Sequence, residues 1–164
     1  MTEAAASAGQ TDSKGALRMV EGSERSSELF VTGEKLAGAE QYSEALPHLQ
    51  AAWEALPEPK CDHELALQIL AVIADCYFYL REWKECCETV QYSFQCGADL
   101  DNPFFRLRLG QSLYELGDEQ EAANWLVPVY LMEGRTPFEI DGLKYLDFFR
   151  DKLKEPQGGW PEGW

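Results

Sequence analysis

Apolar side chains recur at steps of three and four residues along most of the chain, which is the spacing of one face of an α-helix. One such stripe runs through Tyr42, Ala45, Leu46, Leu49, Ala52, Trp53 and Leu56. Similar stripes cover 65–80, 83–94, 122–130 and 143–153. No segment shows the two-residue alternation of a half-buried strand. The pattern predicts an all-α protein.

Helix-breaking residues separate these stripes by short connections, so consecutive helices are expected to pack as antiparallel hairpins. Asn102 before Pro103 predicts a capped helix start, and Gly117 predicts a helix end with a left-handed residue. Residues 1–25 are rich in Ala, Ser, Gly and Thr and are predicted to be a disordered arm. The Pro/Gly-rich tail 155–164 should not be helical, and at least one of its two tryptophans should fold back onto the last helix.

Three predicted hairpins share one register. Tyr42, Trp83 and Glu119 begin the second helices, and a small residue follows each of them three positions later: Ala45, Cys86 and Ala122. On the first helices, Gly33, Ala74 and Gly110 would let the paired helices approach closely. The spacing between hairpins exceeds the roughly 34-residue period of a tetratricopeptide repeat (TPR), which implies inserts in the connections.

These positions resemble the TPR family. The third repeat, with LRLGQSLYELGDEQEA, is the clearest; the first offers Gly33, Tyr42, Ala45, Ala52 and Pro57, and the second offers Ala74, Tyr77 and Trp83, with Cys86 in place of alanine. The usual tryptophan of the first helix is replaced by Leu29, Leu70 and Arg106. The resemblance implies a right-handed TPR-like superhelix of about three hairpins, at about 26–59, 67–100 and 103–136, followed by a capping helix at about 138–153.

In TPR proteins the first helices line a groove that binds other proteins. The corresponding positions here are Phe30, Glu34, Asp75, Phe78, Tyr79, Phe104, Leu107, Arg108, Gln111 and Tyr114. Aromatic side chains of this kind serve as binding hot spots. The Lys and Asn of carboxylate-clamp TPR domains are missing, and Glu34 would repel a carboxylate, so recognition of a terminal carboxylate is not expected.

The chain of 164 residues carries 14 basic and 29 acidic residues, a net charge of −15. This charge disfavours nucleic acid and anionic membranes as partners and favours the encounter of basic proteins. The N-terminal sequence contains no signal-peptide pattern, and the five cysteines show no disulfide framework, so a reducing, cytoplasmic location is expected.

The sequence gives little reason to expect catalysis, and no catalytic residue, metal ligand or cofactor is predicted. His48 reads as a surface or boundary residue, and Cys61 with His63 offers two ligands where zinc usually requires four. Cys86 and Cys87 are adjacent on a helix and point in different directions, so core packing is the expected role. No glycine-rich phosphate loop follows a strand.

The predicted function is therefore protein binding. The region from DNPFFRLRLG to the GGW tail resembles a group of bacterial TPR proteins associated with secreted-toxin loci, which implies an immunity protein that occludes a cognate, basic toxin. Two alternatives stay open: a TPR-type secretion chaperone that holds a segment of an exported protein, and a general TPR scaffold. Exposed aromatic residues would also allow a homodimer.

Overall fold

The structure is a computed structural model that describes residues 8–164, with side chains described from Ser13 onward. The helices are α1 (Ala8–Gly38), α2 (Tyr42–Ala55), α3 (Ala66–Tyr79), α4 (Trp83–Gln95), α5 (Pro103–Glu115), α6 (Glu119–Glu133), α7 (Thr136–Asp141) and α8 (Lys144–Arg150). A 3₁₀ turn lies at Lys60–Asp62. Residues 8–164 contain no strand, so the predicted all-α class is confirmed. Two compact units divide the chain, one ending at Cys76 and the other running from Tyr77 to Trp164.

The first unit contains the hairpin of α1 and α2. The backbone of Gly33 lies so close to Leu49 that a Cβ on this glycine would be 2.7 Å from Cδ2 of the leucine. Further along the same interface, Ser26 Oγ donates a buried hydrogen bond of 2.8 Å to the carbonyl oxygen of Ala52. Ala45, Leu49 and Ala52 are fully buried. Small residues on α1 therefore let α2 pack against the helix backbone.

The second unit repeats this construction in α5 and α6, and α4 also packs against α5. Gly110 faces Leu126, whose Cδ2 would lie 2.7 Å from a Cβ on the glycine. The side chain of Asn102 accepts hydrogen bonds from the backbone N–H groups of Phe104 and Phe105, so the predicted cap before Pro103 is confirmed. Gly117 is left-handed, with φ of 88°, as predicted.

The local register of the hairpins is the same wherever it can be compared. Helices α2, α4 and α6 begin at Tyr42, Trp83 and Glu119, as predicted from the sequence. The connection before each contains a residue with positive φ, and these residues are Glu40, Arg81 and Gly117. The three small residues that follow the helix starts, Ala45, Cys86 and Ala122, are all fully buried.

The prediction of a disordered arm at 1–25 is wrong for residues 8–25, which belong to α1. Residues 1–7 lie outside the described part of the chain. Small residues of the kind that suggested disorder in part serve helix packing, because α2 approaches α1 at Gly22 and Ser26. A Cβ on Gly22 would lie 2.8 Å from the carbonyl oxygen of Ala55.

The prediction of one continuous capping helix at 138–153 is wrong, because two short helices, α7 and α8, lie in its place. Gly142, which ends α7, has φ of 117° and ψ of 138°, and this conformation breaks the helix. Both short helices pack against α6, and Phe138, Leu146 and Phe149 are buried.

The tail is not helical, as predicted. Its two tryptophans fold back, and their ring centroids lie 5.6 Å (Trp160) and 5.4 Å (Trp164) from that of Tyr130 on α6. Arg150 of α8, the last helix, donates a hydrogen bond of 2.5 Å to the backbone oxygen of Trp164. The tail therefore closes over both α6 and α8.

The expectation that the cysteines form no disulfide is wrong for Cys61 and Cys96, which are each disulfide-bonded. Cys76, Cys86 and Cys87 are buried and are not disulfide-bonded, as core packing requires. The cysteines consequently give no support to a reducing compartment. Among the described residues, no helix combines the length and the apolar character that crossing a membrane requires.

Candidate functional site

The predicted groove residues fall into both units. Phe30, Glu34 and Asp75 belong to the first unit, where Phe30 is buried and Glu34 is exposed. The other seven belong to the second unit, and four of these surround the buried guanidinium group of a fifth, Arg108: Phe78, Tyr79, Phe104 and Gln111. Leu107 is buried, and Tyr114 packs 5.5 Å from the ring of Tyr145. The candidate site described here lies entirely within the second unit.

Arg108 is the centre of the site. Its side chain is 7% exposed, and its Nη1 lies 2.5 Å from Oδ2 of Asp141, whose side chain is 5% exposed. The same Nη1 donates to Oε1 of Gln111 at 2.8 Å, and Nη2 donates to the hydroxyl of Tyr79 at 3.0 Å. Burial of both charges strengthens their attraction and requires that their polar atoms be hydrogen-bonded, as they are here.

Asp141 accepts hydrogen bonds from three side chains. Besides Arg108, Gln111 Nε2 donates to Oδ2 at 3.2 Å, and the Tyr79 hydroxyl donates to Oδ1 at 2.9 Å. The donors come from two elements, the end of α3 and the middle of α5, which point toward the last residue of α7. Arg108, Gln111 and Tyr79 thus form a receptor for a carboxylate, and the chain itself supplies the carboxylate.

Aromatic rings cover the remaining faces of the guanidinium group. Its carbon atom lies 4.3 Å from the ring centroid of Phe78, 5.1 Å from that of Tyr79 and 5.8 Å from that of Phe104. These contacts place a delocalised cation over aromatic faces, which stabilises it in a buried position. The sequence identified every residue of this receptor but did not indicate that they would meet inside the protein.

Sequence reasoning missed Asp141. The predicted continuous helix at 138–153 gave this residue no special place, and the glycine that follows it was the available signal. Gly142 stops α7 directly after Asp141 and leaves the carboxylate at the end of a six-residue helix. A glycine inside an apolar helical pattern argues against one uninterrupted helix. Gly142 could therefore have indicated the break between α7 and α8.

A cleft of about 440 Å³ opens beside the receptor. Its walls include Tyr79, Arg81, Trp83, Ile140, Asp141 and Lys144. Ile140 is 76% exposed, whereas Tyr79 is 38% exposed although its hydroxyl is engaged with Asp141. The cleft therefore combines apolar and aromatic surface with two cationic side chains at its edge.

Glu115 also lines the cleft, and two donors hold its carboxylate. Lys144 pairs with its Oε1, and the Tyr145 hydroxyl donates to the same oxygen at 2.6 Å. Burial would raise the pKa of Glu115, but the hydrogen bonds from Lys144 and Tyr145, with the charges of Lys144 and Arg81, lower it below its usual value. Burial and the bond to Glu115 raise the pKa of Tyr145.

Cys76, Cys87 and His63, whose side chains could react or bind a metal ion, are buried or hydrogen-bonded outside the Arg108 receptor. Burial, followed by the charge of Asp75, raises the pKa of Cys76 to about 12, and burial with neighbouring groups raises that of Cys87 to about 12. These thiols are therefore poor nucleophiles at neutral pH. His63 lies 3.1 Å from Ser23 Oγ through Nε2 and accepts from the Leu65 N–H through Nδ1. The described side chains include no group of three or more potential ligands placed to hold a metal ion.

Two comparisons with known proteins, one with family models and one with curated proteins, found nothing that matches this chain.

Proposed function

We propose that this chain is a protein-binding module whose hairpins stack as a right-handed, TPR-like superhelix, and that it acts by holding another protein rather than by catalysing a reaction. The shared register of the hairpins supports this architecture. Gly33 meets Leu49 and Gly110 meets Leu126 at equivalent positions, and in both of these hairpins the second helix starts at the same distance from the glycine. Stacked hairpins of this kind present extended binding surfaces.

The observation that carries the proposed mode of action is the distribution of charge. Several basic side chains are paired within the chain, such as Arg108 with Asp141, Lys144 with Glu115 and Arg106 with Asp101. The net charge of −15 reflects an excess of carboxylates, many of which are exposed. The exposed acidic residues of the second unit include Glu82, Glu85, Glu88, Asp118, Glu119 and Glu121. Such a surface attracts a basic protein and accelerates its association.

The particular function that we propose is that of a bacterial, cytoplasmic immunity protein, which neutralises a cognate secreted toxin by covering its functional surface. Asp141 already occupies the hydrogen-bond donors of the Arg108 receptor, so these donors are not available to hold an extended segment of another protein. This favours an immunity protein over a chaperone. A folded, basic toxin can instead bind to the exposed acidic surface.

A secretion chaperone is the second candidate, and the cleft of about 440 Å³ beside Tyr79 and Trp83 favours it. This cleft has room for side chains of an extended polypeptide segment. A general scaffold with several partners would use the same surfaces with less selectivity.

The decisive experiment is expression of each toxin gene that neighbours this chain's gene, with and without the chain, followed by purification of any complex. Restored growth and a one-to-one complex with a folded, basic toxin domain support the immunity function. A complex with an unfolded segment would support the chaperone instead, and unchanged toxicity without a complex would reject the immunity function for that pair.

A charge variant tests whether the acidic surface is the binding surface. Glu82 and Glu85 are exposed at the start of α4, and the variant Glu82→Gln/Glu85→Gln should slow association with the toxin and reduce its dependence on salt. Glu40→Gln/Glu44→Gln, which removes two exposed carboxylates at the start of α2 in the first unit, is the matched control for net charge. Equal effects of the two double variants would show that only the total charge matters.

A further inference from the structure

The N-terminal part of α1 extends beyond its partner helix. Helix α1 has 31 residues and α2 has 14, which correspond to roughly 46 Å and roughly 21 Å at the rise of an α-helix. The last residue of α2, Ala55, lies beside Gly22 of α1. Every described side chain from Ser13 to Glu21 is exposed, and burial begins at Gly22. We call 13–21 the overhang.

The overhang carries large apolar side chains in water. Leu17 is 58% exposed, Met19 54% and Val20 54%. Leu17 and Val20 are three residues apart and therefore lie on one face of the helix. An isolated helical extension gains little stability from propensity alone, and its Gly15 makes it weaker still. An apolar stripe on such an extension indicates a surface that another element covers.

Charge distinguishes the overhang from the rest of this acidic chain. The overhang carries Lys14 and Arg18 and ends at Glu21; Asp12 precedes it, and Glu24 and Arg25 follow it in the sequence. Lys14 and Glu21 are seven residues apart, which places them on the same edge of the stripe formed by Leu17 and Val20. The segment thus has a cationic residue, Lys14, near one end and an anionic residue, Glu21, at the other, along one helix edge.

We infer that the overhang is a docking surface for a second copy of this chain, with the two overhangs packed antiparallel about a twofold axis between Leu17 and Arg18. In this arrangement Leu17 of one copy contacts Val20 of the other, and each contact occurs twice. Lys14 of each copy then meets Glu21 of the other. A twofold interface requires a self-complementary surface of this kind.

The choice of a second copy as the occupant rests on this complementarity. A basic partner would meet Lys14 and Arg18 unfavourably, whereas a second overhang pairs Lys14 of each copy with Glu21 of the other. The contact is small compared with stable interfaces, so the dimer is weak and concentration-dependent. It is independent of the toxin-binding proposal, since that proposal requires only the acidic surface.

Sedimentation equilibrium of the full chain at physiological salt, over low to high micromolar concentrations, tests the inference. We expect a reversible monomer–dimer equilibrium, which Leu17→Glu/Val20→Glu should weaken by more than about tenfold. Leu131→Glu, at a leucine of α6 that is 55% exposed, is the matched control and should leave the equilibrium unchanged. A monomer at every concentration, or equal weakening by both variants, would overturn the inference.

A charge exchange tests the antiparallel geometry. Lys14→Glu and Glu21→Lys should each weaken the dimer, because each places like charges opposite one another twice. The double variant Lys14→Glu/Glu21→Lys has the net charge of the original chain and should restore the dimer. If the double variant is as weak as the single ones, the proposed pairing is wrong. Circular dichroism of each variant confirms that α1 is still helical.

Discussion

At the scale of single residues, glycines decide how closely the helices of each hairpin approach. Gly33 and Gly110 lie where the side chain of a leucine on the next helix occupies the space of a missing Cβ. These positions were predicted from the sequence because close approach of two helix backbones demands a small residue at a fixed place in each hairpin. Their packing is thus the part of the structure that sequence reasoning described best.

Gly110→Ala should destabilise the second unit by about 1–3 kcal/mol, because overpacking forces buried neighbours to move. A Cβ there would collide with Leu126 and lie 3.1 Å from the carbonyl oxygen of Ala122. Gly15→Ala is the control, since no atom lies within 4 Å of its Cβ position, and it should be neutral or stabilising by up to about 1 kcal/mol. Urea unfolding measures both, and equal effects would contradict the packing assigned to Gly110.

The ion pair of Arg108 and Asp141 makes a second prediction at this scale. Asp141→Asn leaves a buried guanidinium group without its counter-charge and should cost about 2–4 kcal/mol in the free energy of unfolding. Asp101→Asn also removes an arginine partner, but Asp101 is 76% exposed, so its loss should cost less than about 1 kcal/mol.

Thermal and urea unfolding at neutral pH compare the two asparagine variants. If they are equally stable, the interior position of Asp141 contributes nothing, and the receptor described above is not a structural centre of the unit. The receptor also shows a limit of sequence reasoning. The donors were predicted as groove residues because of their helix positions, but the acceptor comes from an element whose course depends on tertiary packing.

At the scale of elements, the starts of the second helices could be predicted, whereas the start of α1 and the break between α7 and α8 could not. The starts of α2, α4 and α6 follow from local spacing, so Tyr42, Trp83 and Glu119 were assigned correctly. Helix α1 begins much earlier than expected, at Ala8, and two of its small residues, Gly22 and Ser26, are packing residues, a role that composition alone does not distinguish from disorder. The break between α7 and α8 was missed because an apolar stripe continues across Gly142.

Gly142→Ala should disturb the junction of α7 and α8. Its φ of 117° is unfavourable for a residue with a Cβ, so the substitution should destabilise the second unit by about 1–2 kcal/mol. Gly158→Ala in the tail is the control, because Gly158 has no positive φ and no atom within 4 Å of its Cβ position. Chemical denaturation followed by tryptophan fluorescence measures both, and a neutral Gly142→Ala variant would show that the junction tolerates another conformation.

At the scale of the whole molecule, acidic charge opposes folding while individual carboxylates support it. A net charge of −15 produces repulsion that acidification relieves. Carboxylates with a lowered pKa act in the opposite direction, because their protonation removes interactions that only the ionised form makes. The stability of this chain as a function of pH is the sum of both effects, and a single residue can separate them.

Glu115 is that residue, since Lys144 and Tyr145 hold its pKa below the usual value. A group with a lowered pKa stabilises the folded state fully above its unfolded pKa, and this contribution is lost as the pH falls toward the folded pKa. The difference in unfolding free energy between the original chain and Glu115→Gln should therefore be constant near neutral pH, at up to about 1 kcal/mol, and should shrink below about pH 4.5. Glu119→Gln, at an exposed residue of α6, should give a smaller difference across this range. A difference for Glu115→Gln that grows as the pH falls would show that Lys144 and Tyr145 do not favour the ionised carboxylate.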